Sequence, residues 1–146
     1  MGILVHGYPG PWQVGAFVLN ENREVLVVSE KRGPAAKTDF RLYKLPTGLV
    51  DLGEDVPDAA QREVREETGI DTEFVAVLGM RHAHQVAFGR GDMFFLCALR
   101  PVGDRIINMC DTELIDAKVK GPAACVGGWC WRWSARGAFG VSGGGG

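Results

Sequence analysis

The stretch from Gly48 to Ile70 constrains the fold more than any other part of the chain, because it predicts a helix with both ends marked. Pro57 suits the first turn of a helix, where its missing N–H would be unpaired anyway. Asp58 follows in the same turn, where the helix dipole favours a negative charge. Gly69 is the residue type that most often ends a helix in the left-handed conformation. We therefore expect the helix to end at Thr68. Its predicted buried stripe comprises Ala59, Ala60 and Val64.

Three glutamates share one face of this predicted helix, since Glu63, Glu66 and Glu67 are spaced at i, i+3 and i+4. Like charges at i and i+4 cost an isolated helix roughly 0.2–0.5 kcal/mol, and a bound cation would turn that cost into binding energy. Carboxylate oxygens are hard ligands that suit magnesium or manganese. A solvated charged face, balanced by Arg62 and Arg65, is the alternative that the three glutamates alone leave open.

The residues around these glutamates carry a family signature. Its constrained blocks are separated by gaps of five, seven, one and one residues and read Gly48, Glu54, Arg62-Glu63-Val64, Glu66-Glu67 and Gly69-Ile70. This pattern matches the Nudix box at every defined position. The chain therefore resembles the Nudix hydrolases, which cleave nucleoside diphosphates linked to another group. The resemblance extends more loosely from Val14 to Lys118.

Within that family the chain looks most like the plant and animal branch that acts on ADP-ribose and NADH. The likeness lies in Lys44-Leu45-Pro46-Thr47-Gly48 before the box and in Phe94-Phe95 after it. The resemblance implies an enzyme that hydrolyses such a compound to AMP and a second phosphate ester. A truncated, non-catalytic chain that binds nucleotide or a partner protein is the alternative.

The resemblance also implies roles for residues of the motif. The implied ligands of Mg²⁺ or Mn²⁺ are Glu63, Glu66, Glu67 and the carbonyl oxygen of Gly48. Glu54 and Arg62 have opposite charges, and an arginine fork can hold a carboxylate at two points. We interpret this pair as fixing the loop before the helix, with a direct part in catalysis as the alternative.

The general base is left open by the sequence. A box glutamate that is not fully occupied by metal could serve, because crowding by like charges raises the pKa of a carboxylate. Glu113 and His84 are candidates outside the box. Histidines in glycine-rich loops are, however, more often exposed and without a catalytic role.

Substrate contacts are the part of the site that the sequence defines least. Lys44 and Arg81 could meet phosphate, whereas Arg41 and Arg90 could equally be surface charges. Phe88 could stack against an adenine ring, as could Tyr43. Neither aromatic residue can be told from a core residue by sequence. The substrate-binding candidates are Lys44, Arg81 and Phe88.

Composition excludes several other classes of protein. A chain of 146 residues with a net charge of −2 fits one domain and argues against a nucleic-acid surface or a polybasic membrane anchor. No apolar run approaches the roughly 20 residues of a membrane span. The four cysteines form no paired zinc-type spacing, and Cys97 is expected in the core. We therefore expect a cytoplasmic protein. The resemblance implies that it binds a nucleoside diphosphate-linked small molecule, with a homodimer as one option.

Runs of β-branched and aromatic residues predict strands on both sides of the helix. They are Gln13 to Leu19, Glu24 to Ser29, Tyr43 to Leu45, Glu73 to Arg81, Met93 to Arg100 and, more weakly, Arg105 to Met109 and Glu113 to Lys118. The polar residues 20–23 indicate a hairpin between the first two strands. A loop that holds His82 and His84 is expected to join the two strands after the helix. The fold class is therefore α/β, and the resemblance implies an α/β/α sandwich with a mixed sheet.

The end of the chain differs in kind from the rest. It is rich in glycine, has no acidic residue after Asp116 and holds three of the four tryptophans within five residues. We expect an N-terminal extension over residues 1–12, the Nudix domain over 13–118 and a disordered tail over 119–146. The C-terminal helix usual in such domains would then be missing or replaced.

Overall fold

The computed structural model describes residues 11–31, 43–87, 90–104, 106–121, 123–126, 129–133 and 139–143. Its strands are β1 (Trp12–Val18), β2 (Val25–Glu30), β3 (Thr47–Leu49), β4 (Thr72–Ala87), β5 (Arg90–Pro101), β6 (Leu114–Lys120), β7 (Ala123–Val126), β8 (Trp129–Trp133) and β9 (Phe139–Gly143). Among the described residues the one helix is α1 (Val56–Thr68). No helix in these ranges is long and apolar enough to span a membrane.

The main sheet is mixed and has the strand order β3-β1-β5-β4. Strand β1 runs antiparallel to β3 and parallel to β5, while β4 and β5 are antiparallel. Strands β2 and β6 form a separate antiparallel pair, and β7, β8 and β9 form a third sheet. The predicted α/β class with a mixed sheet is confirmed, and the one helix within the described ranges is consistent with a missing C-terminal helix.

Helix α1 has the predicted end and the predicted buried stripe. Gly69 takes the left-handed conformation at φ 71°, and its N–H donates to the Arg65 carbonyl. One face of the main sheet packs on the helix through the apolar cluster Val14, Ala16, Val18, Leu26, Ala59, Ala60, Val64, Ile70, Cys97 and Leu99. The opposite face belongs to a second cluster, which includes Phe17, Val25, Val27, Leu45 and Leu96. The central strands β1 and β5 are therefore covered on both faces, whereas β4 exposes Val75, Val77 and Met80.

The turn between β1 and β2 is present, but the predicted hairpin is wrong. The N–H of Asn20 donates to the Glu24 carbonyl at 3.0 Å, and Leu19 forms an isolated bridge with Val25. Beyond that bridge, β2 pairs with β6 instead of β1. On β1, β5 occupies one edge along Trp12–Val18, and β3 occupies the other edge at residues 13–15.

Other strand boundaries also differ from the sequence prediction. His82 and His84 lie within β4 and not in a loop, because β4 and β5 extend as a long hairpin in which His82 pairs with Met93. Lys44 makes only an isolated bridge to Val28, and the next strand is β3. Residues 106–109 form no strand, since the Asn108 N–H donates instead to the Thr68 carbonyl at the helix end.

The region after residue 118 contains regular structure. Strand β6 continues to Lys120, and β7, β8 and β9 form an antiparallel meander in the segment for which the sequence predicts disorder. The three domain boundaries and the small contribution of the tail to stability stay predictions.

Candidate functional site

The three box glutamates project from α1 but differ strongly in burial. Glu67 is 4% exposed, whereas the side chains of Glu63 and Glu66 are 15% and 60% exposed. On a helix of 3.6 residues per turn, Glu63 and Glu67 are about 40° apart around the axis, whereas Glu66 and Glu67 are about 100° apart. Glu63 and Glu67 therefore point inward together, and Glu66 lies at the solvent rim of the same face.

Gly48 allows the carboxylate of Glu63 to pack directly against β3. A Cβ atom at this position would overlap the carboxyl carbon and both carboxyl oxygens of Glu63. Gly48 pairs with Val14 of β1, so its backbone is fixed within the main sheet. The glycine of the box is needed for close approach between strand and helix.

Arg62 and Glu54 form a two-point ion pair that joins the loop to the helix. Arg62 Nε donates to Glu54 Oε1 at 2.8 Å and Nη2 donates to Oε2 at 2.9 Å. The same Nη2 donates to the Leu49 carbonyl at 2.8 Å, and the Asp51 N–H donates to Glu54 Oε2 at 3.0 Å. The hydrogen bonds from Arg62 hold the pKa of Glu54 below its usual value. This is the geometry expected of a pair that fixes the loop.

Arg62 also lies against two of the three box glutamates. Its Nη1 donates to Glu63 Oε1 at 2.9 Å and to Glu66 Oε2 at 3.2 Å. Burial raises the pKa of Glu63, although its hydrogen bond with Arg62 opposes that rise. The guanidinium thus supplies the positive charge among carboxylates that repel one another.

Glu67 is the least compensated carboxylate of the site. Its Oε2 is buried and has no hydrogen-bond partner in the described part of the chain. Burial raises its pKa to about 8, an effect that Lys44 opposes and that Glu63, Glu30 and Glu113 reinforce. A buried acid without a partner costs free energy unless a proton or a cation neutralises it.

The donor set fits a divalent cation by chemistry but not in its present side-chain positions. Carboxylate oxygens and one orphaned buried oxygen suit a hard metal ion. Within the described ranges, however, no group of three or more acidic, histidine or cysteine side chains is close enough to hold a metal. The contacts of Arg62 with Glu63 and Glu66 account for this, because they hold both carboxylates toward the guanidinium.

Two charged residues that precede the helix act on Glu67: Glu30 at the end of β2 and Lys44 between β2 and β3. Lys44 forms an ion pair with Glu30 and donates to Thr47 Oγ1 at 2.6 Å. Both charges act on Glu67, with Lys44 lowering its pKa and Glu30 raising it. Lys44 was a substrate-binding candidate from the sequence. Glu30 was missed, since nothing in the sequence of a strand end indicates which distant residues it will meet.

The remaining candidates lie in different places. Glu113 contributes to the raised pKa values of both Glu63 and Glu67, and its carbonyl accepts the Lys31 N–H at 2.8 Å. His84 lies on the exposed part of β4, with its ring centroid 4.2 Å from that of His82. Arg81 is exposed on β4 near the Phe94 ring. Phe88 and Arg41 lie outside the described residues.

Replacing Arg62 by lysine should lower the free energy of unfolding by roughly 1–3 kcal/mol, because a lysine cannot hold Glu54 at two points. Chemical denaturation of both proteins measures the difference. Arg65→Lys is the matched control, since Arg65 pairs with Asp71 at 3.1 Å in an exposed position and should change stability by less than about 0.5 kcal/mol. Equal effects of the two substitutions would contradict the proposed role of the half-buried Arg62–Glu54 pair.

The chain is similar in sequence to known Nudix proteins. The family model described as the NUDIX domain matches residues 10–124. Nudix hydrolase 8 of Arabidopsis thaliana is 54% identical over 94 residues, which cover 64% of this chain and 25% of that protein. Nucleoside diphosphate-linked moiety X motif 6 of Xenopus laevis is 42% identical over 103 residues, covering 69% of this chain and 45% of that protein. The chain thus spans less than half the length of either relative.

A solved structure shows the same fold at lower sequence identity. The NUDIX hydrolase from Nitrosomonas europaea superposes with a TM-score of 0.61 and 23% identity, over 78% of this chain and 73% of that one. At this identity the likeness concerns the fold. It relates the mixed sheet and α1 to an arrangement already seen by experiment.

Proposed function

The chain belongs to the Nudix hydrolase family, and on that premise we propose that it hydrolyses the pyrophosphate of a nucleoside diphosphate-linked compound. The proposed substrates are ADP-ribose and NADH, and the products are AMP and a second phosphate ester. One observation carries the proposal: the buried, unpartnered carboxylate of Glu67 lies on the same helix face as Glu63, which packs against Gly48. A proton or a cation can neutralise such a buried acid, and a diphosphate would share the cation.

Members of the family generally use divalent metal ions, and we propose Mg²⁺ or Mn²⁺ here. Glu63, Glu66 and Glu67 would hold it, with the Gly48 carbonyl as a further oxygen. When bound, the ion would neutralise the diphosphate and acidify a water molecule. Arg62 would have to release Glu63 and Glu66 for this, and it can do so while keeping its two-point contact with Glu54.

The residues around the acidic centre suggest further roles in substrate binding and proton transfer. Lys44 acts electrostatically on Glu67, which supports a contact between its ammonium and a phosphate oxygen of the substrate. Glu113 is exposed and electrostatically coupled to Glu63 and Glu67, which supports it over His84 as the group that takes a proton from the attacking water. Arg81 lies beside Phe94 and would contact a more distant part of the substrate.

The test of this function is a substrate panel with Mg²⁺ and, separately, Mn²⁺. ADP-ribose and NADH should give the highest kcat/KM and release AMP, whereas a nucleoside triphosphate and coenzyme A should be poor substrates. A clear preference for either of the latter would reject the proposed substrates. Binding of ADP-ribose without release of AMP would instead favour the non-catalytic alternative, which the single described helix also supports. A cytoplasmic location and a homodimer remain predictions from the sequence.

A further inference from the structure

Asp92 is a buried carboxylate outside the box whose hydrogen bonds are only half satisfied. The residue is 5% exposed, and its Oδ2 accepts a hydrogen bond from Gln13 Nε2 at 3.0 Å. Its Oδ1 is buried and has no hydrogen-bond partner in the part of the chain that the structure describes. Leaving a buried acceptor unpaired costs free energy. The position is therefore suited to a ligand that donates an N–H.

The surroundings of Asp92 include an aromatic ring and a guanidinium. Gln13 pairs with Phe94 between β1 and β5, and Arg81 pairs with Phe94 between β4 and β5. Since side chains alternate along a strand, Gln13, Asp92, Phe94 and Arg81 all lie on one face of the main sheet. A Cβ atom at Gly15 would overlap the Phe94 ring, so this glycine lets the ring lie across β1. The Arg81 guanidinium carbon is 5.8 Å from the ring centroid.

This polar pair is connected to the box through neighbouring residues of β1. Gln13 pairs with Leu49, and Val14 pairs with Gly48, which packs against Glu63. The Asp92–Gln13 pair and the acidic centre therefore lie at the same β3 end of the sheet, on opposite faces. Arg81 is exposed, so the face that carries Asp92 opens to solvent on the β4 side. Because β3 is the edge strand of the main sheet, a substrate made of two groups joined by a diphosphate would have to pass this edge to contact both places.

We propose that Asp92 and Gln13 form a subsite that recognises the N–H-donating edge of one of the two groups of the substrate. Asp92 Oδ1 accepts an N–H, and Gln13 orients the carboxylate. The donor is the 6-amino group of adenine or the carboxamide of nicotinamide, which offer the same chemistry. This inference rests on the proposed function, because it takes its ligands from the proposed substrates.

Binding of free mononucleotides tests the subsite without any need for turnover. Isothermal titration calorimetry compares AMP, IMP and nicotinamide mononucleotide on the wild-type protein, on Asp92→Asn and on Asp104→Asn. IMP has an oxygen in place of the 6-amino group and a hydrogen on N1, so it presents an acceptor where AMP presents its amino donor. The wild-type protein should therefore bind AMP roughly tenfold to a hundredfold more tightly. The Asp92→Asn variant should bind AMP and IMP with equal affinity or should prefer IMP. The exposed Asp104 serves as the control, and its substitution should leave the ratio unchanged.

The outcomes separate the subsite from the enzymatic activity. If only the nicotinamide nucleotide loses affinity in Asp92→Asn, the subsite is upheld with the carboxamide as its donor. Equal wild-type affinity for AMP and IMP, together with nicotinamide mononucleotide binding that Asp92→Asn leaves unchanged, overturns the inference. The AMP and IMP comparison needs no variant, so it decides the adenine assignment even if Asp92→Asn fails to fold. If the preference for AMP over IMP depends on Asp92 but the protein does not hydrolyse ADP-ribose, the proposed function is rejected and the subsite is upheld.

Discussion

Replacing Glu67 by glutamine should lower kcat by at least roughly 10²–10³-fold, the loss typical when one charge-stabilising group is removed from an active site. Glutamine keeps the size and shape of the side chain but binds a divalent cation poorly. Glu67 is the most buried of the three box glutamates and has one unpartnered oxygen, so the substitution removes the inward carboxylate of the site. Steady-state kinetics with ADP-ribose and Mg²⁺ measure the effect.

A surface glutamate provides the control for this substitution. Glu73 is 56% exposed in its ion pair with Arg100, so Glu73→Gln should leave kcat unchanged. Activity should also disappear in excess EDTA and return when Mg²⁺ or Mn²⁺ is added. Full turnover in EDTA, or normal kcat in Glu67→Gln, would reject the proposed acidic metal site.

The same substitution should change how stability depends on pH in the metal-free protein. The pKa of Glu67 is about 8 in the folded state, against an ordinary value of 4.5. Between these values the folded state binds the proton more tightly than the unfolded chain does, so the free energy of unfolding falls as the pH rises. Below 4.5 this penalty is absent, and above about 8 it is complete. Urea denaturation at several pH values should show a smaller decline in Glu67→Gln.

Replacing Gly48 by alanine should reduce kcat by about 10²-fold, which is the order of loss expected when a reacting group is misplaced by about 1 Å. The added methyl would overlap the carboxylate of Glu63, which must then move away from β3. The variant should also lose roughly 1–3 kcal/mol of stability, because it inserts a carbon atom into a packed contact.

Gly79→Ala is the matched control for Gly48→Ala. Gly79 also lies in a strand of the main sheet, and a Cβ atom there would meet nothing within 4 Å. Its substitution should leave both kcat and stability almost unchanged. If Gly48→Ala behaved like Gly79→Ala, the Glu63 carboxylate would not depend on this close approach.

The helix and its chemistry could be predicted from the sequence because their signals are local. Pro57 and Gly69 mark the helix ends within a few residues, and the spacing of the glutamates fixes which of them share a face. The buried stripe follows from the same periodicity. A motif confined to 23 consecutive residues also carried the family resemblance, which the comparisons bear out.

Strand pairing could not be predicted in the same way, because it depends on residues far apart in the chain. The turn at Asn20 indicates a hairpin, yet β1 forms its ladders with β3 and β5, and β2 pairs with β6. The glycines near His82 and His84 indicate a loop, but both residues lie in β4 because β4 continues beside β5 up to Ala87. Which edge of a strand is free is a property of the assembled sheet.

The electrostatic character of the site was likewise decided only by the tertiary structure. In the sequence Glu63, Glu66 and Glu67 are equivalent carboxylates. Packing against the strands buries Glu67, leaves Glu66 exposed and brings the charges of Glu30 and Lys44 to the buried one. The sequence by itself thus determined which acids are available, and desolvation in the folded domain decided which of them most needs a cation.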